Sequence, residues 1–212
     1  MSIAEKFKVF GVKQALKYVE KDYEHNAVKL CDWLIEHDKG GGVTNEAKMI
    51  RSVLVDHDNN WYQLVKSLYT DIDDGVRQKL FENFIINGCM IGSPMGFESS
   101  AKYDCNIPWA ILMDPTSACN LHCTGCWAAE YGNKLNLTLD ELDSIITQGE
   151  ALGTYFYIYS GGEPLVRKKD IITLCERHPE CAFLSFTNGT LIDEAFADEM
   201  LRGKNFVPAI SI

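Results

Sequence analysis

The first 87 residues carry apolar side chains at the spacing of α-helices. These residues recur three or four positions apart in four successive stripes, the first of which includes Val12, Ala15, Leu16 and Val19. This first pattern continues to a glycine break at residues 40–42, after which Thr44 or Asn45 is placed to cap the next helix. No catalytic residue types follow the same spacing. The pattern therefore predicts a small all-α N-terminal domain over residues 1–87.

The helical periodicity ends at Gly88. Glycine, serine and proline are frequent over residues 88–106, which predicts a linker or an extended segment covering another part of the fold. From residue 107 onward, apolar runs typical of buried strands (108–113, 155–159, 182–186 and 206–212) alternate with helical patterns (138–152, 169–178 and 193–202). Thr138 and Glu141 form a capping box, and Gly153 ends that helix. The alternation predicts an α/β fold with parallel strands joined by right-handed crossovers.

The sequence ends within the fourth predicted strand, at residues 209–212. An apolar strand left at the edge of a sheet promotes aggregation. We therefore expect the chain to be a fragment of a longer protein, with a core over residues 107–212 that is truncated.

Composition limits the classes of partner. Asp and Glu outnumber Lys and Arg by 30 to 20, giving a formal net charge of -10. Such a surface repels phosphate groups and anionic lipids, so binding to nucleic acid or to a membrane is not expected. The N-terminal residues lack the apolar region of a secretory signal, and no apolar run reaches membrane-spanning length. These features predict a cytoplasmic location, where thiols stay reduced.

Three of the eight cysteines lie in the loop after the first predicted strand. Cys119, Cys123 and Cys126 have the spacing C-x3-C-x2-C. Three thiolates at this spacing can hold three corners of a [4Fe–4S] cluster and leave the fourth iron open to a small molecule. Zinc is the alternative, with His122 or a remote cysteine as fourth ligand. A non-catalytic metal-binding or electron-transfer module would use the same thiolates.

Two further loops share the carboxyl edge of the predicted sheet with the cysteines. The sequence Ser-Gly-Gly-Glu-Pro follows the second strand at residues 160–164, and Thr-Asn-Gly-Thr follows the third at residues 187–190. Paired glycines let the backbone approach a ligand closely, and the proline fixes the turn. Since α/β folds place their chemistry at this edge, the three loops together predict one shared site.

From about residue 109 to its end, the chain resembles the radical S-adenosylmethionine (SAM) superfamily. The motifs that carry this resemblance are the cysteine triplet after the first strand and Gly-Gly-Glu-Pro after the second. The resemblance implies a partial (β/α) barrel that contains the first four strands. It also implies that Cys119, Cys123 and Cys126 bind three irons of a [4Fe–4S] cluster, while the amino and carboxylate groups of SAM chelate the fourth.

The resemblance further implies contacts to SAM. Gly161, Gly162, Glu163 and Pro164 would line its methionyl amino group. Thr187 and Asn188 are similar to positions that approach the ribose or carboxylate, and Ser211 matches a polar position in the fourth strand. The chain departs from the family at Gly125, where an aromatic residue is frequent, with Trp127 instead directly after the third cysteine.

The activity implied by the resemblance is radical chemistry on an unidentified substrate. A reducing donor of the flavodoxin or ferredoxin kind would supply an electron, SAM would be cleaved to a 5′-deoxyadenosyl radical, and that radical would abstract a hydrogen atom. Cleavage of SAM needs no acid–base residue, so none is assigned.

The remaining candidates have structural interpretations beside functional ones. Tyr155, Tyr157 and Tyr159 share one face of the second strand, where they line a substrate pocket or pack under helices, and both options stay open. Trp127, Glu130 and Tyr131 shape the entrance to the cluster or mark the start of a helix just past the loop, and both options stay open. The other cysteines (Cys31, Cys89, Cys105, Cys175 and Cys181) are predicted to be buried apolar residues, with a second metal site as the alternative for Cys89 and Cys105. Four histidines (His25, His37, His57 and His178) are predicted to lie on the surface.

Overall fold

A computed structural model of the chain describes residues 3–38, 42–126, 128, 131–132 and 134–211. The chain folds into two compact units, Met1–Arg77 and Gln78–Ile212. The first is helical, and the second contains a parallel β-sheet. The sequence pattern placed the change after residue 87 rather than after residue 77. Among the described helices, none combines the length and the apolarity needed to cross a membrane.

The first unit contains the helices α1 (Ile3–Glu20), α2 (Tyr23–His37), α3 (Thr44–Val55) and α4 (Asn60–Thr70), and α5 (Asp74–Phe81) starts in it. The continuous pattern through α1 and α2 proves to be two helices. Asp22 leaves the helical conformation, and its side chain accepts a hydrogen bond from the backbone N–H of His25. This cap starts α2 as a separate helix.

Helix α3 also starts differently from the prediction. Val43 stands at the N-cap position, and its side chain makes no capping hydrogen bond. The carboxylate of Asp38 instead accepts the backbone N–H groups of Val43 and Thr44, at 2.8 and 3.0 Å. The hydrogen bonds from the Val43 N–H and from the hydroxyl of Thr44 are the main causes that lower the pKa of Asp38 to about 2. Residues 39–41, most of the expected glycine break, lie outside the described residues.

The second unit contains the four parallel strands that were predicted. The strands β1 (Ala110–Met113), β2 (Phe156–Tyr159), β3 (Ala182–Thr187) and β4 (Phe206–Ile210) lie in the order β1-β2-β3-β4. The connecting helices are α7 (Leu139–Leu152), α8 (Lys168–Arg177) and α9 (Glu194–Gly203). Each strand pairs with the next along the chain, as in a (β/α) barrel. The expected capping box of Thr138 and Glu141 starts α7, and Gly153 ends it.

The expected linker at residues 88–106 is mostly helical, so this prediction of its local structure was wrong. Glu82–Gly92 is a π-helical segment, and α6 (Ser93–Tyr103) continues from it. Pro94 lies in the first turn of α6. A Cβ on Gly92 would lie 2.3 Å from the carbonyl oxygen of Gly153. The glycine that suggested a break is therefore needed for close packing against the end of α7.

The two buried tyrosines of β2 pack under the helices. Tyr157 and Tyr159 are fully buried, and both rings stack on Phe183 of β3. The Tyr157 hydroxyl donates to the carbonyl oxygens of Ile146 in α7 and Thr154, each at 3.0 Å. These tyrosines belong to the core beneath α7 and α8 rather than to a substrate pocket. The core of this unit contains Met113, Leu142, Ile146, Tyr157, Tyr159, Leu165, Ile171, Leu174, Cys175, Cys181, Phe183, Phe196 and Phe206.

The predictions for cysteine and histidine burial were partly wrong. Cys31, Cys175 and Cys181 are buried as expected, and burial raises the pKa of the Cys175 and Cys181 thiols. Cys89 and Cys105 are exposed instead. His178 is buried. Its Nδ1 lies 2.7 Å from Glu150, and its Nε2 lies 3.3 Å from Asp143. Both carboxylates come from α7, so this contact depends on tertiary packing.

Candidate functional site

The loop that carries the cysteines is closed at its base by short-range pairing. Thr116 and Asn136 form an antiparallel bridge, and their side chains lie 2.6 Å apart. The backbone N–H of Ser117 donates to the carbonyl oxygen of Leu135 at 2.8 Å. These bonds bring the two ends of the loop together beyond the end of β1.

Arg167 fixes the same base from the side of α8. Its guanidinium donates to the carbonyl oxygens of Pro115 and Leu137, one on each side of the base. Asp170 accepts the remaining guanidinium hydrogen bonds at 2.8 and 2.6 Å and orients the group. No pattern in the sequence indicated this role, because it joins three segments that are distant along the chain.

Cys119, Cys123 and Cys126 all lie in the described part of this loop. Cys123 is exposed, and the other two are half-buried. The backbone N–H of Cys126 donates to the carbonyl oxygen of Cys123 at 3.2 Å, which forms a turn between them. The backbone N–H of Leu121 donates to Cys119 Sγ at 3.4 Å. Among the described residues, no group of three or more His, Cys, Asp or Glu side chains is already arranged around a metal position.

Gly161 and Gly162 pack directly against the start of the cysteine loop. A Cβ on Gly162 would lie 2.2 Å from the carbonyl oxygen of Ala118, and a Cβ on Gly161 would lie 2.6 Å from that of Thr116. The backbone N–H of Gly162 donates to Thr116, and that of Glu163 donates to Ala118. The paired glycines are thus required for contact between two loops, a reason that the sequence alone did not reveal.

The carboxylate of Glu163 joins the loop after β2 to the loop after β3. Glu163 is 1% exposed. Its Oε1 accepts hydrogen bonds from the backbone N–H of Leu165 at 2.9 Å and from the Thr187 hydroxyl at 2.7 Å. Its Oε2 accepts the backbone N–H of Asn188 at 2.8 Å. These three donors satisfy both buried side-chain oxygens of Glu163 and fix Thr187 and Asn188 in place.

A second connection joins the loop after β3 to the cysteine loop. Asn188 Nδ2 donates to Asn120 Oδ1 at 3.0 Å, and Asn120 Nδ2 donates to Thr190 Oγ1 at 2.8 Å. Thr190 Oγ1 donates to Asn188 Oδ1 at 2.7 Å. The three side chains form a closed ring of hydrogen bonds. Asn120 and Thr190 were not among the predicted site residues, although Asn and Thr in a tight turn commonly bind nearby backbone and side chains.

Ser211 directly follows β4 at the same edge, and its backbone N–H donates to the carbonyl oxygen of Thr187 at 2.9 Å. Pro164 is buried at the start of a short 3₁₀ turn, Pro164–Arg167. The predicted residues of the loops after β2 and β3, and Ser211, therefore lie along one edge of the sheet. Cys119 is joined to them through its neighbour Asn120. Trp127 and Glu130 lie outside the described residues.

A largely apolar groove of about 820 Å³ lies beside this edge. One side of the groove is formed by Leu112 and Met113 of β1 and by Asp114, which follows the strand. Gly161 and Gly162 border the groove. The segment after the cysteines contributes Tyr131, Lys134 and Leu135. Its volume is in the range of small-molecule sites.

The model of the radical SAM superfamily matches residues 113–212. This part of the chain belongs to that superfamily. The match begins at the end of β1 and contains all three cysteines and every predicted SAM-contact residue. The expected family and the α/β fold are confirmed for the second unit, and a helical region precedes them.

Two curated relatives come from Methanosarcina barkeri (strain Fusaro / DSM 804). An AdoMet-dependent heme synthase is 30% identical over 99 residues, covering 45% of this chain and 28% of the relative. An Fe-coproporphyrin III synthase is 31% identical over 96 residues, covering 42% of this chain and 23% of the relative. The chain thus matches less than a third of the length of either relative.

Two solved structures of Streptococcus suis SuiB are also similar to this chain. The structure of SuiB bound to S-adenosylmethionine has a TM-score of 0.47 and 21% identity, covering 58% of this chain and 29% of SuiB. The structure bound to the precursor peptide SuiA has a TM-score of 0.46 and the same identity, covering 58% and 28%.

Proposed function

We propose that this chain binds a [4Fe–4S] cluster through Cys119, Cys123 and Cys126 and uses it to cleave SAM reductively. The observation that supports the proposal most directly is the set of three reachable thiols in a loop that is joined by hydrogen bonds to the Gly161–Glu163 backbone and to Asn188. The superfamily match covers all these residues.

The donor set fits an iron–sulfur cluster. Three thiols lie within eight residues, and a turn already joins Cys123 to Cys126. The backbone N–H of Leu121 points to Cys119 Sγ, and hydrogen bonds to the sulfurs help to set the reduction potential of such clusters. The thiols are not yet gathered around one position, so we expect cluster assembly to draw the loop together.

The neighbouring loops fit the methionyl end of SAM. Gly161 and Gly162 border the groove, and Glu163 fixes Thr187 and Asn188 in the next loop along the same edge of the sheet. When bound together, the cluster and SAM would supply a 5′-deoxyadenosyl radical that abstracts hydrogen from a substrate. The protein orients the sulfonium, excludes water and protects the reactive species.

The electron would come from a reducing donor of the flavodoxin or ferredoxin kind. The chain has a formal charge of -10, which favours encounter with a donor that presents a basic surface. We also propose a cytoplasmic location and no interaction with nucleic acid or membranes.

A non-catalytic metal-binding or electron-transfer module is the second candidate function. The exposed position of Cys123 favours it, because an exposed thiolate could serve zinc or a cluster that exchanges electrons with another protein. The two functions differ in their response to SAM, since only the first requires an open iron.

Anaerobic reconstitution with iron and sulfide, reduction, and addition of SAM test the proposal. We expect mass spectrometry to detect 5′-deoxyadenosine from the wild-type chain and none from the Cys123→Ala variant. Cys105→Ala is the matched control, since Cys105 is also an exposed thiol but lies outside the loop. A chain that takes up only zinc, or a cluster whose spectrum is unchanged by SAM, would contradict SAM cleavage and favour the metal-binding or electron-transfer module.

A further inference from the structure

The ring formed by Asn120, Asn188 and Thr190 is a feature of the site that the cysteine triplet and the Gly-Gly-Glu-Pro motif do not explain. Asn120 follows directly on Cys119, and the other two residues belong to the loop after β3. In the ring, each side chain donates one hydrogen bond to the next and accepts one from the one before. The three side chains lie at the surface and join the cysteine loop to the loop after β3.

The ring holds the Asn188 side chain in one orientation. Asn188 Oδ1 accepts both the hydroxyl and the backbone N–H of Thr190, at 2.7 and 3.0 Å, while Asn188 Nδ2 donates to Asn120. The backbone N–H of Asn188 is held separately by the carboxylate of Glu163. The backbone of this loop is thus fixed by Glu163, and the Asn188 side chain is fixed by Asn120.

We propose that Asn120 is a positioning residue that sets the loop at residues 187–190 for SAM and ties it to the cysteine loop. This inference rests on the proposed function, since it assigns Asn120 a part in the same cofactor site. Because Asn120 and Cys119 are adjacent, the position of the first cysteine and that of Asn188 are linked. Loss of the ring leaves the three cysteines intact and removes only this link.

Hydrogen exchange of the chain without a cluster tests the ring itself. In the Asn120→Ala variant we expect the backbone N–H of Thr190, which depends on Asn188 Oδ1, to exchange about 5-fold faster than in the wild type. The N–H of Asn188 should change little, since Glu163 holds it. Thr124→Ala is the matched control, because Thr124 is an exposed residue of the same loop outside the ring. Equal exchange in the two variants would overturn the proposal.

SAM affinity of the reconstituted, anaerobic chain tests the functional part. We expect Asn120→Ala and Thr190→Val each to weaken SAM binding about 5-fold, with Thr190→Ser close to wild type because it keeps the hydroxyl. The double variant should bind SAM no more weakly than either single variant, since both remove the same ring. Cluster content, measured as iron and sulfide per chain, should be unchanged in all of them.

The outcomes separate this inference from the proposed function. A wild-type chain that holds the cluster and binds SAM, with ring variants equal to Thr124→Ala, would overturn the role of Asn120 alone. A wild-type chain that holds no cluster or binds no SAM would overturn the proposed function and the positioning role together. Additive losses in the double variant would show independent contacts and would also overturn the inference.

Discussion

Tyr157 and Tyr159 place two hydroxyl groups in the same buried layer with different surroundings. The Tyr157 hydroxyl has two carbonyl acceptors, whereas the Tyr159 hydroxyl has no hydrogen-bond partner among the described residues. Burial is the main cause that raises the pKa of both side chains above 10.0, so both are neutral phenols at physiological pH. A buried hydroxyl without a partner costs free energy on folding.

The two Tyr→Phe variants should therefore differ in stability. We expect Tyr157→Phe to lower the free energy of unfolding by about 1–3 kcal/mol, because the carbonyl oxygens of Ile146 and Thr154 lose the hydroxyl proton that they share. Tyr159→Phe should leave stability unchanged or raise it, because only an unpaired hydroxyl is removed and the ring still packs on Phe183. Urea denaturation of both variants measures the difference. Equal losses would mean that the Tyr159 hydroxyl does have a partner.

At the scale of elements, three asparagines hold the turn between α8 and β3. Asn83 Nδ2 donates to the carbonyl oxygens of Pro179 and Cys181, at 3.0 and 2.7 Å. Asn87 Nδ2 donates to Glu180, and Asn205 Nδ2 donates to Cys175, His178 and Cys181. The π-helical segment before α6 is thereby anchored at the amino end of the sheet, opposite the cysteines.

Loss of one anchor should weaken the second unit. We expect Asn83→Ala to lower the free energy of unfolding by about 1–3 kcal/mol, since Asn83 is fully buried. The Pro179 carbonyl would lose its Asn83 donor, and the Cys181 carbonyl would keep only the longer hydrogen bond from Asn205. Asn106→Ala, at an exposed position of the same unit, should change it by less than about 0.5 kcal/mol. Thermal or urea denaturation followed by circular dichroism compares the two. Similar losses would show that the asparagine contacts contribute little.

Local patterns predicted the strands and their connecting helices well, because alternation, capping boxes and terminal glycines act over a few residues. The Thr138–Glu141 capping box and the end of α7 at Gly153 are examples. The same patterns failed for residues 88–106, where Gly92 serves a tertiary contact and Pro94 begins a helix. In the site, the order of the three loops was predictable. The ring through Asn120 was not, because it joins residues about 70 positions apart.

At the scale of the whole molecule, the sheet of the second unit has two different faces. One face packs under α7, α8 and α9. The opposite face presents an apolar row across all four strands, formed by Leu112, Ile158, Leu184 and Val207, with Phe186 in the next row. Leu112 is 57% exposed and Phe186 is 48% exposed. This open face adjoins the carboxyl edge that carries the candidate site.

An exposed apolar face of this kind should bind hydrophobic dyes and promote self-association. We expect the folded chain to enhance the fluorescence of 8-anilinonaphthalene-1-sulfonate, and the double variant Leu112→Ser, Phe186→Ser to reduce the enhancement by about half. Phe97→Ser is the control, because Phe97 is 77% exposed on α6, away from the sheet. Sedimentation velocity should show less association in the double variant than in the control. If Phe97→Ser reduces dye binding equally, scattered surface side chains rather than the sheet face bind the dye.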